Sequence, residues 1–140
     1  MNLYLDASPP MRAILRDGPL LAEWGRWDFA VTTALASVEA RRTLDRLRVT
    51  QVYNDMELAD AVMELLAIER SLAFVDVTRE VLERASRPMP TVVRTLDSIH
   101  LASALLVREQ TNMDLVFATH DRRQAIAARA LGFDVVGVDF

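Results

Sequence analysis

The segment Leu115-Val116-Phe117-Ala118-Thr119-His120-Asp121-Arg122-Arg123-Gln124 decides the fold. Its first four residues are an apolar run that reads as a strand, expected over 115–118. A polar turn follows and ends on an acid. A helical pattern then runs over 122–131 and stops at Gly132, a helix terminator. A second apolar run, 135–138, resumes as a strand. Working outward, the same alternation covers the whole chain. Strands are expected over 3–5, 29–32 and 72–77, and helices over 11–15, 34–47, 56–68, 78–85 and 97–108. Pro9-Pro10 suits the first turn of the short early helix, and Asn54 with Glu57 has capping-box spacing before the third. The 97–108 segment is apolar nearly all round and is expected to be buried. Strands that alternate with helices and read as near-continuous apolar runs indicate α/β architecture with a parallel sheet covered on both faces.

Composition narrows the chemistry. A chain of 140 residues fits a single domain, residues 1–140, with one core. With 51% hydrophobic and 26% charged residues the balance is that of a folded chain, not a disordered one. The absence of cysteine removes disulfides, thiolate zinc sites and a cysteine nucleophile. All sixteen basic residues are arginine, which removes Schiff-base chemistry and a P-loop lysine. A net charge of −4 argues against nucleic-acid binding by a broad basic surface. It leaves room for an enzyme whose bound cations neutralise an acidic pocket. Asp6 interrupts the early apolar run and no long apolar segment follows, so neither a signal peptide nor a membrane span is expected, and the cytoplasm is the expected location.

In a parallel α/β sheet, ligands bind beyond the carboxyl ends of the strands. That rule selects four acids. Asp6 ends the first strand, and Asp121 follows the fourth. Asp97 opens the buried helix after the Pro-rich loop Arg87-Pro88-Met89-Pro90-Thr91, and Glu39 lies in the first turns of the helix after the second strand. Each also has a plain structural role open to it. Asp121 with Gln124 has capping-box spacing. Asp97 suits a helix N-terminus, Glu39 can pair with Arg42, and Asp6 can start a turn. Asp6 and Asp97 resist these roles best, because both abut strongly apolar segments where an unpaired charge is costly. Carboxylates gathered together repel unless a cation intervenes. Oxygen donors without cysteine or a histidine pair suit Mg²⁺ or Mn²⁺ over zinc.

Other residues read differently. Asp76 also ends a strand, but a phosphate-accepting aspartate needs a nearby lysine, and the chain has none. His100 lies in the buried helix and is read as a packed, hydrogen-bonded histidine. His120 adjoins the expected site. Trp24 and Trp27 are read as packing residues.

Four blocks together carry a family likeness: Tyr4-Leu5-Asp6-Ala7-Ser8, Ser37-Val38-Glu39-Ala40-Arg41, Arg94-Thr95-Leu96-Asp97-Ser98-Ile99-His100-Leu101-Ala102, and Ala118-Thr119-His120-Asp121-Arg122-Arg123. In order and rough spacing the chain resembles PIN-domain ribonucleases, in particular the VapC-type toxins of bacterial toxin–antitoxin pairs. The resemblance implies a PIN-like three-layer sandwich with a five-stranded parallel sheet. It places Asp6, Glu39, Asp97 and Asp121 at the family's acidic positions, with Ser8 and Thr119 as supporting polar residues. It also implies an RNA substrate, a homodimer, and a cognate antitoxin docking on the helices between 34 and 68. Pro9-Pro10 departs from the aliphatic residues usual after the first motif, and the segment between Asp17 and Asp28 is one where members differ.

The expected chemistry is metal-assisted phosphodiester hydrolysis. Asp6, Asp97 and Asp121 hold one or two Mg²⁺ ions, for which Mn²⁺ can substitute. Asp97 or Glu39 orients or deprotonates the attacking water. Arg94, Arg122 and Arg123 hold flanking phosphates in forked contacts. Two rivals remain: an idle PIN-like module that grips an antitoxin or scaffold, and a Mg²⁺-dependent phosphatase of different fold. Four acids in place count against the first, and the missing lysine counts against the second.

Overall fold

The computed structural model describes all of Met1–Phe140. Five strands, β1 (Asn2–Leu5), β2 (Phe29–Thr33), β3 (Ala73–Val75), β4 (Leu115–Ala118) and β5 (Val135–Val136), form one sheet in the order β3-β2-β1-β4-β5. Every pairing is parallel. Six helices connect them: α1 (Ser8–Leu15), α2 (Ala34–Val49), α3 (Asp55–Arg70), α4 (Arg79–Ala85), α5 (Thr95–Thr111) and α6 (Arg122–Ala130). This is the expected three-layer α/β arrangement. The chain leaves β1 toward β2 and β3 on one side and returns as β4 and β5 on the other. The carboxyl ends of β1 and β4 therefore flank the topological switch point, where open α/β sheets bind ligands.

The pleat sorts the core. Tyr4, Val31 and Phe117 point to one face and pack with Leu101, Ala104 and Leu105 of α5, Ala127 and Ala128 of α6, and Phe133. Leu3, Leu5, Ala30 and Ala118 point to the other, against Leu21, Trp24 and Trp27. The tryptophans meet edge to face at 5.3 Å. Packing is thus what the structure gives them. α1, which packs on β1, joins α2 and α3 through Ile14, Ala40, Leu44, Ala61 and Leu65. α4 covers α5 through Val81, Ile99, Ala102 and Leu106. The expected burial of α5 holds without a break from Ser98 to Val107.

Element ends differ from the sequence expectation for identifiable reasons. The early helix begins at Ser8, not at 11, because Pro9 and Pro10 occupy first-turn positions that need no N–H. The third strand is Ala73–Val75, not 72–77. It is an edge strand that pairs only with β2, and β2 turns into α2 after Thr33, so no ladder partner exists beyond Val75. The fifth strand ends at Val136, not 138. Gly137 has φ +101°, and a Cβ there would lie 2.2 Å from the Thr119 carbonyl oxygen. Only glycine allows the chain to turn off the sheet that close to the end of β4. Asp76 is exposed beside the edge strand, and Thr78 rather than Asp76 caps α4.

Candidate active site

Asp6 is the first residue past β1, and its N–H still reaches the Ala118 carbonyl at 3.1 Å. The pleat aims its side chain to the face of Tyr4, where it is only 6% exposed. Oδ1 accepts from the Ser8 N–H at 2.9 Å and the Ser8 hydroxyl at 2.6 Å, and Oδ2 accepts from the Thr119 hydroxyl at 2.5 Å. Ser8 Oγ also accepts the His120 N–H at 2.8 Å, and Thr119 Oγ1 the Asp121 N–H at 3.0 Å. Two hydroxyls thus lace the end of β1 to the turn after β4. Burial pushes the Asp6 carboxyl above its ordinary range, and His100, Ser8 and Thr119 pull against it.

Asp97 occupies the first turn of α5, and Asp121 caps α6. Together with Arg94, Arg122, Arg123 and Ile126 they line one open cleft. The Asp97 carboxyl is also raised, by burial first and then by the like charge of Asp121, against the opposing influence of Arg94 and His100. Asp121 Oδ1 accepts the N–H groups of Arg123 at 2.8 Å and Gln124 at 3.3 Å. The capping role open to Asp121 is therefore realised. The reciprocal half of a capping box is absent, because the Gln124 amide donates instead to the Asp97 carbonyl at 3.0 Å. That bond ties α6 to the start of α5 and holds the two aspartates at one cleft.

Glu39 does not pair with Arg42, which bonds Asp45 instead. Its Oε1 lies 2.7 Å from His100 Nε2, and His100 Nδ1 lies 2.9 Å from the Tyr4 hydroxyl. His100 is therefore packed and hydrogen-bonded, as expected, but its partner is one of the four candidate acids. Asp97 and His100 are three apart on α5, a spacing that puts them on one face of the helix. His120 donates Nδ1–H to the Gly137 carbonyl at 2.8 Å, since a carbonyl can only accept.

The acids share one end of the sheet without forming a ready-made ligand cage. No group of three or more His, Asp or Glu side chains is arranged to hold a metal ion. Asp6 is turned to Ser8 and Thr119, Asp121 Oδ1 to its own helix, and Glu39 to His100. The donor set still suits a hard divalent cation. A carboxylate accepts about four hydrogen bonds. Asp6 Oδ2 keeps one direction free beside Thr119, Asp121 bonds through Oδ1 alone, and Asp97 faces the cleft. Two carboxyls raised by burial, Asp97 also by the like charge of Asp121, are what a cation would relieve.

Comparison with curated proteins gives the same family as the four sequence blocks. Over 110 residues the chain is 34% identical to Ribonuclease VapC46 of Mycobacterium tuberculosis, covering 70% of this chain and 82% of the relative. The chain belongs to the VapC family of PIN-domain ribonucleases. Ribonuclease VapC47 of Mycobacterium tuberculosis is 26% identical over 138 residues, 94% of this chain and 93% of the relative. The VapC likeness therefore runs nearly end to end and spans both halves of the cleft. No family model matches the chain. No helix is long and apolar enough to cross a membrane.

Proposed function

We propose that this protein is a metal-dependent endoribonuclease, the toxin of a toxin–antitoxin pair. The observation that carries the reading is the cleft in which Asp97 and Asp121 face three arginines beside the buried Asp6. Asp6, Asp97 and Asp121 are the residues that would hold Mg²⁺ or Mn²⁺. When bound, the cation supplies Lewis-acid activation of water and stabilises charge on the leaving oxygen.

The chain's own groups divide the remaining work. Arg94, Arg122 and Arg123 carry fixed positive charge and forked donors at the cleft, suited to phosphates flanking the scissile bond. Glu39 is assigned to orient the attacking water and accept its proton. Oε1 is engaged by His100, which leaves Oε2 to accept from water. Ser8 and Thr119 hold Asp6 in one rotamer. The pool of acid at the sheet end also explains how a chain of net charge −4 can act on a polyanion: the substrate meets local arginines, not the overall field.

An antitoxin partner and a homodimer belong to the same reading. The exposed apolar side chains of Val38 and Val49 on α2 and of Met56, Val62 and Met63 on α3 support docking of a partner on the helices between 34 and 68. The test of the whole reading is cleavage of varied RNAs by the purified chain with Mn²⁺ or Mg²⁺, alongside Asp6→Asn and Asp97→Asn. Metal-dependent cleavage lost in both variants is expected. Cleavage that survives EDTA or both substitutions defeats it.

A further inference from the structure

We propose that His100 is a positioning residue for cleavage: its Nε2–H holds the Glu39 carboxylate at the sheet end, and the Tyr4 hydroxyl on Nδ1 holds the ring. The proposal rests on the ribonuclease reading above and deepens it by naming what places the water-orienting acid.

The geometry makes a continuous line from the floor of the core, through His100, to the partly exposed Glu39 carboxylate. Tyr4 is fully buried in the central strand, stacked on Phe117 at 5.2 Å and meeting the His100 ring edge to face at 6.0 Å. His100 is 2% exposed on the buried face of α5. Glu39 comes from a third element, α2, and its side chain is 22% exposed. Each contact has a determined direction at the Glu39 end. A carboxylate only accepts, so Nε2 carries a proton whatever the charge on the ring. A ring bonded at both nitrogens has one orientation, and a carboxylate bonded to it has one rotamer. The alternative for Glu39 near the start of a helix is a long, mobile side chain that must lose rotamer freedom each time it takes up one position. The arrangement is costly if it serves only stability, since a polar pair has been placed where Leu101, Ala102 and Ala104 otherwise fill the helix.

The test separates position from packing. His100→Gln keeps an N–H donor in the place of Nε2, whereas His100→Asn keeps only the atom facing Tyr4. Steady-state cleavage with Mn²⁺ is expected to show kcat lower by roughly tenfold to a hundredfold in His100→Asn with KM for RNA within about twofold. His100→Gln is expected to recover most of that loss. His100→Asn combined with Glu39→Gln is expected to be no slower than Glu39→Gln alone. Multiplying effects, or two His100 variants equally slow, overturn the proposal. Tyr4→Phe keeps the buried ring and guards against misfolding: it is expected to lower kcat severalfold with cooperative unfolding retained, and an unchanged kcat overturns the anchoring part. A second readout needs no activity. Long-range nitrogen–proton spectra of the full, metal-free chain are expected to show His100 protonated at Nε2, and a bare Nε2 overturns the pairing. A wild-type chain that cleaves no RNA yet shows the Nε2 proton defeats the ribonuclease reading and the kinetic role together, while the pairing stands.

Discussion

Asp6 is an acid, buried and held by two hydroxyls, and these facts pull in opposite directions. Burial raises its carboxyl, so the ionised form is the one folding disfavours. The stability linked to Asp6 and Asp97 is then fully present below the ordinary carboxyl value of 3.8 and is lost as pH rises through the raised values. Metal-free protein is expected to become less stable over that window, and saturating Mn²⁺ to reverse the trend; thermal unfolding in EDTA across pH checks it. Asp6→Asn is expected to raise the midpoint of the metal-free chain at neutral pH, by roughly 2–4 °C for each kcal/mol of charge burial removed. The same variant is expected to lower cleavage by about a hundredfold or more. A lower midpoint would mean that the hydrogen bonds from Ser8 and Thr119 outweigh desolvation. Asp6 was legible in the sequence because a charge after an apolar strand has few plain explanations. The partner of Glu39 was not, since 61 residues separate it from His100 and no local rule brings them together.

The turns after the central strand β1 and its neighbour β4 do most of the positioning. The turn after β4 is pressed between Ser8 on one side and Gly137 on the other. Gly137→Ala is expected to cost roughly 1–3 kcal/mol, because the left-handed backbone and the Thr119 carbonyl both exclude a Cβ. It is also expected to reduce cleavage through Thr119, measurable as a lower kcat at temperatures where the chain is folded. The α5–α6 tie offers a cleaner separation. Gln124→Leu removes the bond to the Asp97 carbonyl while keeping apolar volume, and is expected to cut kcat about tenfold with a small change in unfolding midpoint. Periodicity revealed these helices and the core strands to within a few residues. It could not reveal where β5 stops, because that end is set by a φ angle and by a neighbour eighteen residues earlier.

For the molecule as a whole, charge is arranged against its own average. RNA binding is expected to weaken with salt at a slope near −2 on logarithmic axes, about 0.7 for each of three phosphate contacts, and to flatten by about 0.7 for each of Arg94→Ala, Arg122→Ala and Arg123→Ala. Titrating ionic strength in a binding assay with Asp97→Asn, to prevent turnover, checks this. The parallel topology was legible from the alternation of apolar runs, and five strands followed from the resemblance; the strand order and the lacing of β1 to the β4 turn were not, because neither leaves a periodic trace. That lacing has a consequence in time. Asp6 and its hydroxyl partner Thr119 lie 113 residues apart, so a ribosome makes the acid well before its support. A nascent chain that has not yet delivered β4 has its central strand half unpaired and its key acid unsupported. The candidate site therefore assembles only once the turn after β4 has been made, and a chain cut short before Thr119 lacks it.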